Sequence, residues 1–253
     1  MTTAVIIIVM ALVICAAFLF LMSGKRKGDV FGGPYYPDGE IEEDENESYE
    51  SEPAEEENEP VEKENEAGEE NVMIRDEDFV NVKEYIPDIE VELKYASEDN
   101  FTGWVIYDFD EAYLRYGTVR KLAEAQDKLK EKGFRIKIWD AFRPVSAQFK
   151  LWEVYPDDTF VANPNTGASS HSRGNTVDIT LVKTGGDYVE MPTGFDDFSE
   201  QAKRTYEGVS EAAKMNSLLM ERIMEECGFE PYENEWWHFS DRDEYPVEEN
   251  YKF

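Results

Sequence analysis

The chain of 253 residues contains only two histidines, His171 and His238, and each has an acidic residue close to it in sequence. Asp178 follows His171 by seven positions, and Glu235 precedes His238 by three. A catalytic zinc ion takes three protein ligands and keeps a fourth position open for water. The two runs together offer two imidazoles, one carboxylate ligand and one spare carboxylate. If they meet in space, the sequence predicts a hydrolytic centre with one Zn²⁺ ion.

The predicted zinc ligands are His171, Asp178 and His238, and they leave Glu235 unbound to the metal. Gly174 lies between the first two ligands, where a glycine lets the chain turn so that both approach one ion. Glu235 is then available to take a proton from the attacking water and to pass it to the leaving amine. In a regular strand, a separation of three puts Glu235 and His238 on opposite faces, so we expect a bulge or twist there.

Hydrophobic periodicity predicts the elements that must position these residues. A helix is expected before Gly133, because buried-type positions recur there at helical spacing and a glycine is common just after a helix end. These positions are Thr118, Leu122, Ala125 and Leu129. Residues 134–138 alternate between apolar and basic side chains, which predicts a strand with one buried face.

Pro144 suits the first turn of a second helix, because proline lacks the backbone N–H that would be unpaired there. The predicted apolar face of this helix consists of Phe149, Leu151 and Trp152. Arg143 is therefore expected at a junction between a strand and a helix.

The remaining elements follow from the same patterns. Residues 175–182 and 235–240 are predicted strands, and residues 211–227 are a predicted helix that ends before a glycine. The helix is expected to pack through Leu218, Leu219, Ile223 and Met224. Because strands and helices do not alternate regularly, we predict an α+β fold, a single domain whose largely antiparallel central sheet is flanked by helices.

The N-terminal part of the sequence has a different composition from the rest. Residues 4–22 are nineteen uncharged and mostly apolar residues, about the length of a helix that crosses a bilayer, so we expect a single-pass transmembrane anchor. Residues 23–78 are expected to form a disordered acidic linker, because 18 of the 33 residues from 38 to 70 are Asp or Glu. The folded domain is predicted for residues 79–253.

The distribution of charged residues indicates the orientation of the predicted anchor and excludes some classes of partner. Lys25, Arg26 and Lys27 follow the predicted span, and the positive-inside rule then favours a cytoplasmic catalytic domain. Residues 1–80 hold 5 basic and 22 acidic side chains out of totals of 25 and 57, so residues 81–253 are acidic as well. No basic stripe for a phosphate backbone is present, and we expect no nucleic acid and no protein partner.

Four separated blocks resemble the D-alanyl-D-alanine dipeptidases of vancomycin resistance, within the wider group of zinc D,D-peptidases. The resemblance covers residues 91–251. Residues 92–103 resemble the N-terminal substrate-side segment of that family, and residues 138–144, I-W-D-A-F-R-P, resemble the block with its catalytic arginine. Its two metal blocks are similar to residues 169–181, S-S-H-S-R-G-N-T-V-D-I-T-L, and to residues 235–238, E-W-W-H.

The resemblance implies roles for individual residues. It implies zinc ligation by His171, Asp178 and His238, with Glu235 as the general base. It also implies that Arg143 polarises the scissile carbonyl and stabilises the oxyanion, since a fixed cation there offsets charge that develops in the transition state.

For substrate binding, the resemblance implies Tyr95, Ser169 and Asp196, the aspartate serving the free ammonium of a small dipeptide. Asp197 is adjacent and competes for that role. The segment that leads to Tyr107 is shorter than in relatives, so this tyrosine receives no role. Three functions stay open. The first is hydrolysis of the D-alanyl-D-alanine dipeptide to two D-alanines. The second is a D,D-carboxypeptidase that trims peptidoglycan stem peptides, and the third is a catalytically silent, membrane-anchored module that binds wall fragments.

Overall fold

A computed structural model describes residues 73–251 of the chain. The predicted membrane span at residues 4–22 lies outside the described residues, and so does the predicted linker up to residue 72. Within residues 73–251, no helix is long and apolar enough to cross a membrane.

The described part of the chain forms seven strands and four α-helices. The strands are β1 (Phe79–Asn81), β2 (Glu90–Val91), β3 (Tyr113–Arg115), β4 (Phe134–Asp140), β5 (Thr176–Lys183), β6 (Phe229–Pro231) and β7 (His238–Asp241). The helices are α1 (Val82–Tyr85), α2 (Tyr116–Glu131), α3 (Val145–Val154) and α4 (Glu211–Glu226). Short 3₁₀ turns occur at Lys94–Ala96, Ser170–Arg173 and Glu200–Ala202.

A five-stranded sheet with the strand order β2-β4-β5-β7-β6 forms the centre of the fold. Only β2 pairs in parallel with its neighbour, and the other three pairs are antiparallel. Strands β1 and β3 form a separate antiparallel pair. Helix α2 packs against β4, helix α4 packs against β6, and the two helices contact each other. The predicted α+β class with a mostly antiparallel sheet is confirmed.

Helix α2 and strand β4 form where the sequence predicts them. The four predicted core positions of α2 are all buried, because they share the helix face that packs on the sheet. The chain leaves the helix through Gly133, whose φ of +83° lies in the left-handed region that glycine adopts without steric cost. In β4, Ile136 and Ile138 are fully buried, and the residues between them are partly exposed. The period of two therefore gives one apolar face.

Helix α3 differs from its prediction in two respects. Pro144 is the N-cap that precedes the helix, with φ −55° and ψ 142°, and does not lie in its first turn. Ala147 and Leu151 form the buried face, whereas Phe149 is 47% exposed. Phe149 is two residues from either of these positions, so the 3.6-residue period turns it away from the buried face.

Strand β7 begins later than predicted. The strand covers His238–Asp241, and residues 235–237 form a turn before it. Helix α4 ends close to its predicted limit, at Glu226, and Gly228 follows it with φ +92°. Of its predicted contacts, Ile223 and Met224 are fully buried and the two leucines are partly buried.

Candidate active site

The register of the central sheet aligns three polar residues on adjacent strands. Asp140 of β4 faces Asp178 of β5, and Asp178 faces His238 of β7. His171 reaches the same place from the 3₁₀ turn that precedes β5. Gly174 ends that turn with φ +76°, so the chain reverses through a conformation that costs glycine little. Sheet pairing thus brings together residues that are distant in sequence.

The two histidines approach opposite oxygens of one carboxylate. His171 Nε2 lies 3.3 Å from Asp178 Oδ2, and His238 Nδ1 lies 3.0 Å from Asp178 Oδ1. One candidate ligand atom from each of the three residues lies within 4.8 Å of the others. Ligands at ~2.0–2.1 Å around a tetrahedral zinc ion are ~3.3 Å apart, so the three atoms have the spacing of a ligand set.

The protonation of His171 also fits a metal ligand. Its Nδ1 lies 2.8 Å from the carbonyl oxygen of Ala141. Because a carbonyl only accepts, Nδ1 carries a proton, and in the neutral ring the lone pair is then on Nε2. His171 Nε2 is buried and has no hydrogen-bond partner. A bare nitrogen that faces an oxygen of Asp178 puts two acceptors in contact, which a cation between them would relieve.

Electrostatics holds these groups in the forms that bind metal. Burial acts to raise the pKa of Asp178, but His171 and His238 outweigh it and hold that pKa well below the ordinary value. Burial lowers the pKa of His238, although Asp178 opposes this shift. An ionised carboxylate and a neutral imidazole are the states that coordinate a divalent cation.

Glu235 is buried in the turn before β7, with Oε2 3.5 Å from His238 Nδ1. No strand bulge brings the two side chains together, contrary to the prediction. The chain turns between them, and the N–H of His238 donates to the Glu235 carbonyl at 3.3 Å. Burial raises the pKa of Glu235 well above its ordinary value, and the charges of Asp178 and Asp196 raise it further. Glu235 is therefore a stronger base than an ordinary glutamate.

Arg143 lies at the junction between β4 and α3, as predicted, and its guanidinium is fixed on two sides. Its Nε and Nη2 donate to Asp140 Oδ2 at 2.9 and 2.6 Å, and its Nη1 donates to Gln148 Oε1 at 2.8 Å. Its Nη2 is 3.8 Å from Asp178 Oδ2. Burial acts to lower the pKa of Arg143, but the charge of Asp140 outweighs it and keeps the group cationic.

Asp196, and not Asp197, faces the site. The Tyr95 hydroxyl donates to Asp196 Oδ2 at 2.8 Å, and the Arg143 guanidinium lies 5.2 Å from the centre of the Tyr95 ring. Burial raises the pKa of Asp196 to about 8. Asp196 also has φ +52°, a strained value for a residue with a side chain. The exposed Asp197 instead accepts the backbone N–H of Ser199.

A cavity of about 380 Å³ unites these groups. Its lining includes all eight residues that were predicted for the site: Tyr95, Arg143, Ser169, His171, Asp178, Asp196, Glu235 and His238. The sequence did not predict residues 158–162, Phe198 and Tyr232, which also line the cavity. These residues come from irregular segments with no periodic pattern, and only the tertiary structure brings them to the cavity.

Three further polar residues support Arg143. Asp140 is fully buried and accepts from the Tyr107 hydroxyl at 2.7 Å as well as from Arg143. Gln148 is itself held in place, because its Nε2 donates to the Ala162 carbonyl at 2.7 Å. The sequence did carry a signal for Asp140, an acidic residue three positions before the arginine. The family resemblance left Tyr107 without an assigned role, and in the structure this tyrosine reaches Asp140 from a separate loop.

Residues 75–252 match the peptidase family M15, described as D-ala-D-ala dipeptidase. The chain belongs to this family. The M15 peptidase is 38% identical over 162 residues to the D-alanyl-D-alanine dipeptidase of Escherichia coli strain K12. This match covers 64% of this chain and 83% of the relative. It is 33% identical over 189 residues to the D-alanyl-D-alanine dipeptidase of Enterococcus faecalis strain V583, which covers 66% and 94%.

Among solved structures, VanYB in complex with D-alanine-D-alanine is similar at 16% identity and a TM-score of 0.35, over 60% of this chain and 77% of that one. The family that the sequence blocks resemble is thereby confirmed by the sequence matches. The M15 peptidase is a hydrolytic enzyme, as its relatives are.

Proposed function

We propose that this M15 peptidase hydrolyses the dipeptide D-alanyl-D-alanine to two D-alanines with one Zn²⁺ ion. One observation carries the proposal. The three candidate ligands, the base Glu235 and the cation Arg143 all line one cavity of about 380 Å³. That volume is near the lower end for ligand pockets, which suits a small substrate. The names of the relatives support the choice of dipeptide.

His171, Asp178 and His238 would hold the metal. When bound, zinc supplies Lewis acidity and lowers the pKa of a coordinated water towards ~7. Glu235 takes the proton of the attacking water, and its raised pKa favours this transfer. The same carboxyl then gives the proton to the leaving amine, so the base is restored at the end of the reaction.

Arg143 stabilises the negative charge that develops on the scissile carbonyl oxygen. Asp140 and Gln148 fix its guanidinium before substrate arrives. Little reorganisation is therefore needed when the charge appears, and preorganised donors of this kind contribute strongly to catalysis. Its Nη2, which also donates to Asp140, lies on the side of the candidate metal ligands, 3.8 Å from Asp178 Oδ2.

Asp196 binds the free ammonium of the dipeptide, and Tyr95 orients it through their 2.8 Å hydrogen bond. Ser169 is buried in the cavity wall and offers a hydroxyl to the substrate. A stem peptide has an uncharged amide at the position of that ammonium. Binding of a stem peptide would therefore leave the half-buried Asp196 carboxylate without a cation, which disfavours longer substrates.

The test uses the full-length chain, purified with its zinc content measured. D-alanine release is followed from D-alanyl-D-alanine and, separately, from a stem pentapeptide. We expect rapid release from the dipeptide and little from the pentapeptide. Preferential release from the pentapeptide would establish the carboxypeptidase instead. Binding of wall fragments without release from either substrate would identify the silent module.

The ammonium site has a matched control in its neighbour. Asp196→Asn should raise KM for the dipeptide at least ~10-fold, in line with the loss of a charge-assisted contact. Asp197→Asn removes the same charge one residue away, outside the cavity, and should leave KM unchanged. An equal change in KM for the two variants would contradict the proposal that Asp196 binds the ammonium.

A further inference from the structure

The turn that carries Glu235 and His238 is weakly held by its own hydrogen bonds. The N–H of Glu235 donates to the Tyr232 carbonyl at 3.3 Å, and the N–H of His238 donates to the Glu235 carbonyl at 3.3 Å. The N–H of Tyr232 donates to the His238 carbonyl at 3.2 Å. These distances are at or beyond the long end for N–H···O bonds. The turn therefore depends on contacts from elsewhere in the fold.

Arg204 supplies most of those contacts. Its Nε donates to the Tyr232 carbonyl at 2.8 Å, and its Nη2 donates to the His238 carbonyl at 3.0 Å. Its backbone N–H donates to the Glu233 carbonyl, also at 3.0 Å. One residue thus holds three carbonyls of the turn, including those at both ends, through bonds shorter than the internal ones.

The Arg204 guanidinium is itself fixed from the other side. Its Nη1 lies 2.7 Å from Glu221 Oε2 on helix α4, and its side chain is only 8% exposed. The guanidinium carbon lies 4.5 Å from the centre of the Phe239 ring in β7. Glu221 also accepts the Tyr206 hydroxyl at 2.8 Å. The arginine connects a long helix of the domain to the turn that carries the base.

We propose that Arg204 is a positioning residue that sets the distance between Glu235 and His238. It lies behind the turn and acts on the reaction only through the backbone of Tyr232, Glu233 and His238. A planar fork with five donors binds two carbonyls and a carboxylate at once, whereas a lysine ammonium is a single point with no fork. The catalytic consequence rests on the proposed dipeptide hydrolysis, because it assigns Glu235 as the base.

The effect on rate follows from geometry. Without the fork, the Tyr232 and His238 carbonyls keep only their long internal hydrogen bonds, and the turn relaxes around those bonds. A displacement of about 1 Å at a reacting group costs up to ~100-fold in rate. Dipeptide binding at Asp196 and Tyr95 is unaffected, so the loss should appear in kcat and not in KM.

The main test compares Arg204→Lys with Arg135→Lys in the full-length, zinc-saturated enzyme. Arg135 is a part-buried arginine of β4 that also joins a carbonyl, that of Asp88, to a carboxylate, that of Glu90. We expect Arg204→Lys to lower kcat ~10- to 100-fold with KM within about threefold of wild type. Arg135→Lys should keep kcat. Unchanged kcat in Arg204→Lys, or an equal loss in both variants, would overturn the proposal.

A second variant separates the fork from the ion pair. Glu221→Gln removes the charge of the partner but leaves both carbonyl contacts of Arg204, so we expect kcat within about threefold of wild type. A loss of ~10-fold or more would show that the ion pair, and not the hydrogen bonds to the turn, is decisive. This variant judges the proposal even if Arg204→Lys fails to fold.

Amide hydrogen exchange tests the positioning without activity. Exchange in residues 232–238 should be faster in Arg204→Lys than in Arg135→Lys, relative to β5 peptides of the same sample. If the wild-type enzyme does not hydrolyse the dipeptide, the proposed function fails. The exchange experiment still tests whether the hydrogen bonds from Arg204 hold the turn. Equal exchange of the turn in the two variants would overturn the positioning role.

Discussion

Glu235 lies among carboxylates, and this raises its affinity for a proton. Burial raises its pKa first, and the charges of Asp178 and Asp196 add to the effect. Glu235→Gln keeps the shape of the side chain and cannot accept a proton. We expect zinc content to remain at wild-type level and kcat to fall at least ~100-fold, the loss expected for a missing general base. Both are measured on the purified variant.

The matched control is Glu233→Gln, which makes the same change at an exposed position of the same turn. Its kcat should equal that of the wild type. An active Glu235→Gln variant would end the role of Glu235, and a zinc-free one would show that this residue is needed for metal binding.

Asp196 gives the metal-free protein a predictable pH dependence. Its pKa is raised by burial from 3.8 to about 8 in the folded state. The stability that this group contributes is therefore fully present below pH ~4 and is lost as the pH rises through about 8. Asp196→Asn removes the penalty of ionisation. The variant should gain thermal stability over the wild type as the pH rises from 5 to 9.

The unfolding midpoint of Asp196→Asn minus that of the wild type should increase by at least ~2 °C between pH 5 and pH 9. This corresponds to about 1 kcal/mol for a domain of this size. Thermal scans of the metal-free proteins at both pH values measure it. Asp197→Asn is the control, because its side chain is exposed, and its midpoint difference should not change with pH. A constant difference for Asp196→Asn would contradict a raised pKa.

The sequence predicted the candidate metal ligands and base because zinc chemistry dictates their residue types and short spacings. His171, Asp178, Glu235 and His238 have few alternatives in a chain with only two histidines. Tyr107 was not predicted, because its contact with Asp140 depends on a loop whose path has no local pattern. The choice between Asp196 and Asp197 likewise depends on a backbone φ of +52° that a sequence does not reveal.

At the level of elements, Gly174 links the 3₁₀ turn of His171 to strand β5. Its φ is +76°, and a Cβ at this position would overlap the Phe79 ring. Gly174→Ala should therefore lose ~2–5 kcal/mol of unfolding free energy, from backbone strain and overpacking together. The displacement should also weaken zinc binding, since the flanking ligands His171 and Asp178 move apart. Denaturant unfolding and zinc titration measure the two effects.

Gly133→Ala separates the two causes. Its φ of +83° is equally left-handed, but a Cβ there has no atom within 4 Å. This variant should lose only ~1–2 kcal/mol, the cost of the backbone conformation, and keep its zinc affinity. Equal losses in the two variants would show that contact with Phe79 does not contribute.

Elements with a strong period were predicted well, and those shaped by tertiary contacts were not. Helix α2 and strand β4 each have one apolar face, and a period fixes which face is buried. Residues 235–237 resemble a strand because Trp236 and Trp237 are apolar, yet they form a turn in which both rings are buried. Ala202 accepts the N–H of Trp236, and Arg204 bonds the backbone on both sides of this segment. Sequence periodicity contains no information about such contacts.

For the whole molecule, we propose that residues 4–22 anchor the enzyme in a membrane, with the catalytic domain on the cytoplasmic side. The support is the uncharged run of nineteen residues and the three basic residues after it. The full-length chain should sediment with membranes and resist extraction by high salt. Deletion of residues 1–22 should release active enzyme into the soluble fraction.

Deletion of residues 38–70 is the control, because it removes 33 residues, more than the anchor deletion, and most of the acidic residues of the N-terminal region, but keeps the proposed anchor. This variant should stay with the membranes. A soluble full-length chain would contradict the anchor, and digestion of the catalytic domain by protease added to intact spheroplasts would contradict the cytoplasmic orientation.

The sequence by itself determined the family of this protein, its candidate site residues and the class of its fold. The candidate zinc ligands and base are recognisable by type and spacing, the family resemblance implies a role for Arg143, and the periods of helices and strands are local properties of the chain. The tertiary structure decided the geometry. Register across β4, β5 and β7 aligns Asp140, Asp178 and His238, and a turn held by Arg204 directs Glu235 into the same cavity. These arrangements depend on contacts between distant segments, and local patterns do not specify such contacts.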